Sequence, residues 1–196
     1  MRRLTSIAAS LALTLSVASP AFAALKLGAT APDFNTTAAK AGNTFGFSLS
    51  KQLKKGPVVL YFFPAAFTSG CTVEANQFAE ATEEFAKYGT TVIGLSADPI
   101  DKLAKFSTSE CRSKFAVAMA SPTTIAAYDA KLIFGKSNRT SYFITPQGKI
   151  TAGSNAPSGD RISADRLERF LQDRLGPLVE PANSPTELFN SIKGVT

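Results

Sequence analysis

The sequence predicts an α/β domain in which a central mixed β-sheet is flanked by helices. Residues 58–63 are an unbroken run of β-branched and aromatic side chains, which is typical of a strand buried on both faces. Residues 71–87 repeat apolar side chains at three- and four-residue spacing, which predicts an amphipathic helix that ends at Gly89. Residues 91–95 form a second buried strand. Together the three segments predict a strand–helix–strand crossover.

The remaining segments of the domain alternate between strands and helices, which is the pattern of an α/β fold. Helices are predicted to start at Asp98-Pro99 and at Ser121-Pro122, because a capping side chain precedes a proline whose missing N–H costs nothing there. Residues 51–57 are a basic loop or a short helical turn. Further strands are predicted at residues 42–48, 115–119, 140–144 and 149–151, and a last helix follows Ser163.

The chain of 196 residues divides into three segments. Residues 1–23 combine two arginines, an apolar stretch and small residues, which is typical of a secretory signal peptide. We expect cleavage after Ala23, with an uncleaved anchor as the alternative, so that the mature protein is periplasmic and has no stable membrane association. Residues 24–176 form the domain, and residues 177–196 are a C-terminal extension with a short helix.

The composition excludes several classes of site and partner. The chain has no histidine, which excludes Cys-His and Ser-His catalytic pairs and most zinc sites. Its formal net charge is +6 at pH 7, but no run of lysine and arginine is dense enough to bind nucleic acid. With 44% hydrophobic residues, the chain has enough apolar side chains for a packed core. The sequence is compatible with both a monomer and a homodimer.

Cys71 lies in the first turn of the predicted helix, at the carboxyl end of a central strand. The N–H groups of this turn have no intrahelical acceptor and the helix dipole is positive at this end, so the thiolate is favoured over the thiol. Gly70 leaves the sulfur without a neighbouring side chain. Because a helix terminus contributes at most about 2 kcal/mol, a nearby cation is also needed.

Cys71 and Cys111 are the only two cysteines of the chain. Their number and an exported location favour a structural disulfide. The position of Cys71 in a turn at a helix start favours a reactive thiol instead. Three interpretations therefore remain: a reactive Cys71 assisted by Cys111, an exported thiol-disulfide oxidoreductase that uses the same pair, and a non-catalytic module with a structural Cys71–Cys111 disulfide.

The turn before the helix carries a recognisable motif. The pattern Pro64-x-x-x-Thr68-x-x-Cys71 resembles the peroxidatic-cysteine motif of the peroxiredoxins. Residues 67–74 are most similar to the branch of peroxiredoxin Q and the bacterioferritin comigratory protein. The resemblance extends from about Leu27 to about Leu175, and it implies a thioredoxin-like fold.

The resemblance also implies roles for individual residues. It implies that Cys71 attacks the peroxide oxygen, that Thr68 hydrogen-bonds the thiolate and the peroxide, and that Pro64 shields the pocket. Arg139 stands in the family's Arg-Thr-x-Phe context and is implied to polarise both the thiolate and the peroxide. Glu74 is either a first-turn acid favoured by the helix dipole or a hydrogen-bond partner of Arg139.

Cys111 resembles the resolving cysteine of some members of this branch. A sulfenic acid on Cys71 would then condense with Cys111 to an intramolecular disulfide, which a thioredoxin-like or other dithiol reductant reduces. The branch often has a cysteine five residues after the first, and this chain has Asn76 there. The implied substrates are hydrogen peroxide and organic hydroperoxides, and the resemblance implies no metal or organic cofactor.

Overall fold

A computed structural model describes residues 25–156 of the chain. The predicted signal peptide, the predicted helix after Ser163 and the C-terminal extension lie outside the described residues. Among the residues that are described, no helix is both long enough and apolar enough to cross a membrane.

Residues 25–156 form a seven-stranded mixed sheet with helices on both faces. The strands are β1 (Asn35–Lys40), β2 (Asn43–Ser48), β3 (Val58–Phe62), β4 (Thr91–Ser96), β5 (Ala116–Met119), β6 (Arg139–Ile144) and β7 (Ile150–Ala156). The helices are α1 (Leu49–Leu53), α2 (Ser69–Lys87), α3 (Ile100–Ser109) and α4 (Pro122–Ala127), and a short 3-10 helix spans Ile133–Gly135. The predicted fold class is confirmed.

Three parallel strands lie at the centre of the sheet. The spatial order is β2-β1-β5-β4-β3-β6-β7. Strand β4 is parallel to β3 and to β5, and every other neighbouring pair in this sheet is antiparallel. Helix α2 connects β3 to β4, which confirms the predicted crossover. The carboxyl ends of β3 and β4 therefore meet at one edge of the sheet.

Strand β3 separates two apolar layers of the core. All five of its residues are buried. Leu60 and Phe62 point into the layer that contains residues of α1 and α4. Tyr61 points into the opposite layer, which contains residues of α2 and α3 together with Cys71 and Cys111. Both thiols therefore lie on the face of the sheet that Tyr61 occupies.

Strand β1 is not predicted by the sequence, because its six residues are mostly small and polar and show no apolar alternation. It forms because β2 and β5 pair with its two sides, and because Ala41 and Gly42 supply a tight turn with positive φ angles of 50° and 80°. Two further boundaries differ from the predictions. The segment predicted as a basic loop or helical turn contains most of helix α1, and β7 continues beyond the predicted residues 149–151.

Candidate active site

A short loop between β3 and α2 leads to Cys71. Pro64 has no N–H to donate to a neighbouring strand, and β3 ends before it. Phe67 has a left-handed φ of 65°, which turns the chain into α2. Thr68 is the N-cap residue and Ser69 begins the helix, so Cys71 is its third residue. The predicted position of Cys71 in the first helical turn is confirmed.

The sulfur of Cys71 is in contact with the guanidinium group of Arg139. The side chain of Cys71 is only 1% exposed. Arg139 is the first residue of β6, and its Nη2 donates a hydrogen bond to the sulfur over 3.2 Å. The sulfur therefore lies next to two positive groups, the N-terminus of α2 and the guanidinium of Arg139. The sequence predicts a cation near Cys71 in addition to the helix N-terminus, and Arg139 is that cation.

Gly70 provides the space that Arg139 occupies. A Cβ atom at this position would lie 2.7 Å from Nη2 of Arg139, which is closer than a real Cβ contact. The sequence suggested that Gly70 keeps side chains away from the sulfur. In the structure, its main consequence is that the guanidinium can approach the first turn of α2.

Glu74 holds the other arm of the same guanidinium. Its Oε2 accepts a hydrogen bond from Nη1 of Arg139 at 2.5 Å, and it lies one helical turn after Cys71. The planar guanidinium therefore spans the carboxylate and the sulfur with two different nitrogens. Of the two interpretations of Glu74, the structure supports the hydrogen-bond partner of Arg139.

The buried position of Glu74 gives the protein a pH-dependent stability. Burial raises the pKa of its carboxyl to about 7 from an ordinary 4.5, although Arg139 acts in the opposite direction. The folded state therefore binds a proton more tightly than the unfolded chain does. The contribution of Glu74 to the stability of the fold is complete below about pH 4.5 and is lost as the pH rises through about 7.

We expect the free energy of unfolding of the wild type, relative to that of Glu74→Gln, to decrease between about pH 5 and about pH 8. Glutamine has nearly the same shape and does not titrate, so the groups that are distant from Glu74 cancel in the difference. Urea unfolding at several pH values measures it. A difference that is constant or grows with pH would contradict the raised pKa of Glu74.

Thr68 does not hydrogen-bond the sulfur of Cys71 in the structure, although the resemblance to the peroxiredoxins implied that it binds the thiolate. The hydroxyl of Thr68 donates a hydrogen bond to the carbonyl of Ala65 over 2.9 Å and makes no capping bond to the helix. Its proton is thus used within the loop, and its oxygen lone pairs remain able to accept a hydrogen bond. Pro64 is partly buried in the same loop.

Residues 27–152 match the model of the AhpC/TSA family. The chain belongs to the AhpC/TSA family of peroxiredoxins. It is 33% identical over 135 residues to the putative peroxiredoxin bcp of Helicobacter pylori, a match that covers 64% of this chain and 85% of the relative. It is also 52% identical over 58 residues to a putative peroxiredoxin of Mycobacterium tuberculosis. That segment spans 30% of this chain and only 38% of the relative's length.

A solved structure of a related peroxiredoxin confirms the thioredoxin-like fold. The peroxidoxin BcpB from Mycobacterium tuberculosis superposes with a TM-score of 0.67 at 29% sequence identity. The superposition covers 80% of this chain and 99% of that protein. The similarity to the branch of peroxiredoxin Q and the bacterioferritin comigratory protein is therefore found in both sequence and structure.

Cys111 of this peroxiredoxin lies just beyond the end of α3 and is fully buried. Burial raises the pKa of its thiol well above the ordinary value, so the group stays protonated in this conformation. Both cysteines are free thiols, and both belong to one apolar cluster with Phe63 and Phe106. Both cysteines therefore have apolar neighbours, but Cys71 also has a cation beside it.

Asp98 has a different role in the peroxiredoxin from the one that the sequence predicts. It does not cap α3, because the N-cap residue is Pro99 and there is no side-chain capping bond. Its Oδ2 instead accepts a hydrogen bond from the N–H of Ala66 at 2.6 Å, and its Oδ1 pairs with Lys102 at 2.8 Å. A carboxylate at the end of β4 thus fixes the loop that precedes Cys71. No local pattern shows this contact, since its partners are 32 positions apart.

Proposed function

We propose that this chain is a thiol-dependent peroxidase that reduces hydrogen peroxide and organic hydroperoxides with Cys71. The observation that carries the proposal is the 3.2 Å contact between Nη2 of Arg139 and the sulfur of Cys71 at the start of a helix. A thiolate held there is a strong nucleophile, and the same guanidinium lies where negative charge develops on the oxygen that leaves. Family membership in the peroxiredoxins supports the reaction class.

In the first step, the thiolate of Cys71 attacks one oxygen of the peroxide. A sulfur–oxygen bond forms, the oxygen–oxygen bond breaks, and the departing alkoxide or hydroxide takes up a proton from solvent water. Arg139 stabilises the charge on that oxygen. Thr68 accepts a hydrogen bond from the peroxide, because its own proton is donated to Ala65. Pro64 limits access of water to the sulfur. The product is a sulfenic acid on Cys71.

In the second step, Cys111 resolves the sulfenic acid. The sulfur of Cys111 bonds to the sulfur of Cys71, the sulfur–oxygen bond breaks, and the hydroxide leaves with the thiol proton as water. The two thiols are buried and not bonded to each other in the described conformation, so we propose that the first turn of α2 unwinds to bring the sulfurs together. A thioredoxin-like or other dithiol then reduces the disulfide by exchange.

We also propose that the protein works after export. The support is the pattern of residues 1–23, which combines a charged start, an apolar stretch and small residues. Removal of this segment after Ala23 would release the peroxidase into the periplasm, where an exported dithiol partner would recycle it. Mass spectrometry of the protein isolated from periplasmic extract measures the cleavage point.

The test of the proposed function is the product formed with one equivalent of hydrogen peroxide. We expect the reduced wild type to lose both thiols and to form an intramolecular Cys71–Cys111 disulfide. Cys111→Ser is expected to consume one peroxide per chain and to retain an oxidised sulfur at Cys71. Intact mass and thiol counting measure both results. A wild type that consumes no peroxide, or a Cys111→Ser variant that turns over like the wild type without oxidation at Cys71, would refute the proposal.

A further inference from the structure

The segment that follows Cys111 is bound to the side of helix α2 by charged and polar contacts. Nε of Arg112 donates a hydrogen bond to Oδ1 of Asn76 over 2.9 Å, and its Nη1 pairs with Oε1 of Glu80 at 3.2 Å. Lys114 pairs with Glu83 at 2.6 Å. The three α2 residues are spaced by four and three positions, so they share one face of the helix. These contacts hold the segment after α3 against α2, the helix whose first turn contains Cys71.

Asn76 connects this contact to the first turn of α2. Its Nδ2 donates a hydrogen bond to the carbonyl of Thr72 over 3.0 Å, while its Oδ1 accepts from Arg112. The amide is therefore oriented by a partner on each side. Thr72 directly follows Cys71, so a continuous path of hydrogen bonds runs from the residue after Cys111 to the residue after Cys71.

The backbone after Cys111 is held in an unfavourable conformation. Arg112 and Ser113 have left-handed φ angles of 48° and 58°, a region in which non-glycine side chains are crowded. Such residues persist where the surrounding contacts determine the conformation. Two backbone bonds close the turn, from Ser113 to Ser107 and from Lys114 to Cys111. Together with the guanidinium contacts, these bonds fix the position of Cys111 at the end of α3.

The contacts between Arg112 and α2 are exposed to solvent. They can therefore affect the position of Cys111 while contributing little to the stability of the fold. The side chains of Arg112 and Glu80 are 49% and 65% exposed. Ion pairs at this exposure contribute little to the free energy of unfolding. Their loss would therefore leave the fold intact and only loosen the short segment that carries Cys111, which the backbone bonds of the turn still close.

We propose that Arg112 is a positioning residue for the resolving step. Through Asn76 and Glu80 it holds Cys111 against the side of α2, so that only the first turn around Cys71 has to move. A nucleophile held in place reacts faster than one on a loose segment, because less freedom is lost on reaching the sulfenic acid. This inference rests on the proposed function of Cys111. The bonds that form and break are those given above for the resolution of the sulfenic acid, and peroxide is the oxidant.

Resolution competes with further oxidation of Cys71 to the sulfinic acid, so the ratio of the two products reports the speed of resolution. With the reduced protein and a series of peroxide excesses, we expect Arg112→Gln to lower the ratio of disulfide to sulfinic acid roughly three- to tenfold. The rate of peroxide consumption in the first turnover stays at the wild-type value, because Arg112 does not touch Cys71. Peptide mass spectrometry measures the ratio, and rapid mixing measures the rate.

Variants of Asn76 test the same hydrogen bonds from the α2 partner of Arg112. Asn76→Leu removes the acceptor for Arg112 and is expected to lower the ratio as Arg112→Gln does, and the double variant is expected to add little more. Asn76→Asp keeps the acceptor for Arg112 but loses the donor to Thr72, and it is expected to retain most of the wild-type ratio because the contact with Arg112 is the one that holds the segment. Lys87→Gln is the matched control, since it removes one positive charge and a pair with Glu84 near the far end of α2. It is expected to behave as the wild type.

The possible failures are distinguishable. If the wild type forms no Cys71–Cys111 disulfide, the proposed function fails and the positioning role fails with it. If the wild type forms the disulfide but Arg112→Gln and Asn76→Leu give the same ratio as the wild type and Lys87→Gln, only the positioning role is overturned. A loss in the first-turnover rate equal to the loss in the ratio would also overturn it, since it would mean a general structural effect. Unfolding midpoints close to the wild type are the check that the variants fold.

Discussion

Cys71→Ser is expected to lower peroxide turnover by at least about 10³-fold, to the level of a solution without enzyme. The serine hydroxyl does not ionise at neutral pH even beside a guanidinium and a helix N-terminus, so no nucleophile remains. The protein is expected to stay folded, because serine has nearly the volume of cysteine and its oxygen can still accept a hydrogen bond from Arg139. Peroxide consumption with a recycling dithiol measures the turnover.

The control for this variant lies in the same helical turn. Ser69→Ala changes an exposed first-turn side chain and is expected to keep the wild-type turnover. Unfolding midpoints of all three proteins show whether α2 is intact. Turnover by Cys71→Ser within tenfold of the wild type would mean that the reaction does not use this sulfur, and the proposed peroxidase mechanism would have to be abandoned.

Arg139→Gln is expected to lower the rate of peroxide reduction about 10²- to 10³-fold, the usual effect of removing one charged or hydrogen-bonding group from the reacting atoms. The variant loses the charge that favours the thiolate and the donor that stabilises the departing oxygen. Arg139→Lys keeps the charge, but a single ammonium is not a planar fork that can span Glu74 and Cys71. We expect an intermediate rate for it. Stopped-flow measurement of the first turnover determines these rates.

Lys136→Gln is the matched control for the arginine variants. It removes one positive charge from an exposed position in the same segment and is expected to react as the wild type. Because Arg139→Gln also leaves the carboxyl of Glu74 without its cation, the double variant with Glu74→Gln is included. If the slow reaction came only from an unpaired buried carboxyl, the double variant would recover the wild-type rate. A rate for Arg139→Gln equal to that of Lys136→Gln would contradict the role of the guanidinium.

The crossover around Cys71 could be predicted because its signals are local. The buried run of β3, the apolar spacing of α2 and the helix end at Gly89, whose φ is 62°, each follow from a few neighbouring residues. The first-turn position of Cys71 follows from the same signals. Strand β1 has no such signal, since its stability comes from pairing with β2 and β5 rather than from its own side chains.

The assignment of Asp98 failed for a related reason. An aspartate before a proline is a good local cap, but the same carboxylate can accept a hydrogen bond from any N–H that the fold brings near it. Ala66 lies in the loop at the end of the neighbouring parallel strand, and its N–H is the group that donates to Asp98 in the folded chain. Local propensity was overridden by a contact between two strand ends.

By itself, the sequence of this peroxiredoxin determined the crossover, the helix start that carries Cys71 and the motif that resembles a peroxidatic cysteine. Those features depend on residues within one or two helical turns of each other. The resemblance to the peroxiredoxins pointed to Arg139 as the cation, but only the tertiary structure decided that its guanidinium lies beside the sulfur. The contact of Arg139 with Cys71 joins residues 68 positions apart, and that of Arg112 with Asn76 joins residues 36 positions apart. Such distances depend on how β6 and α3 pack against α2, which no local pattern encodes.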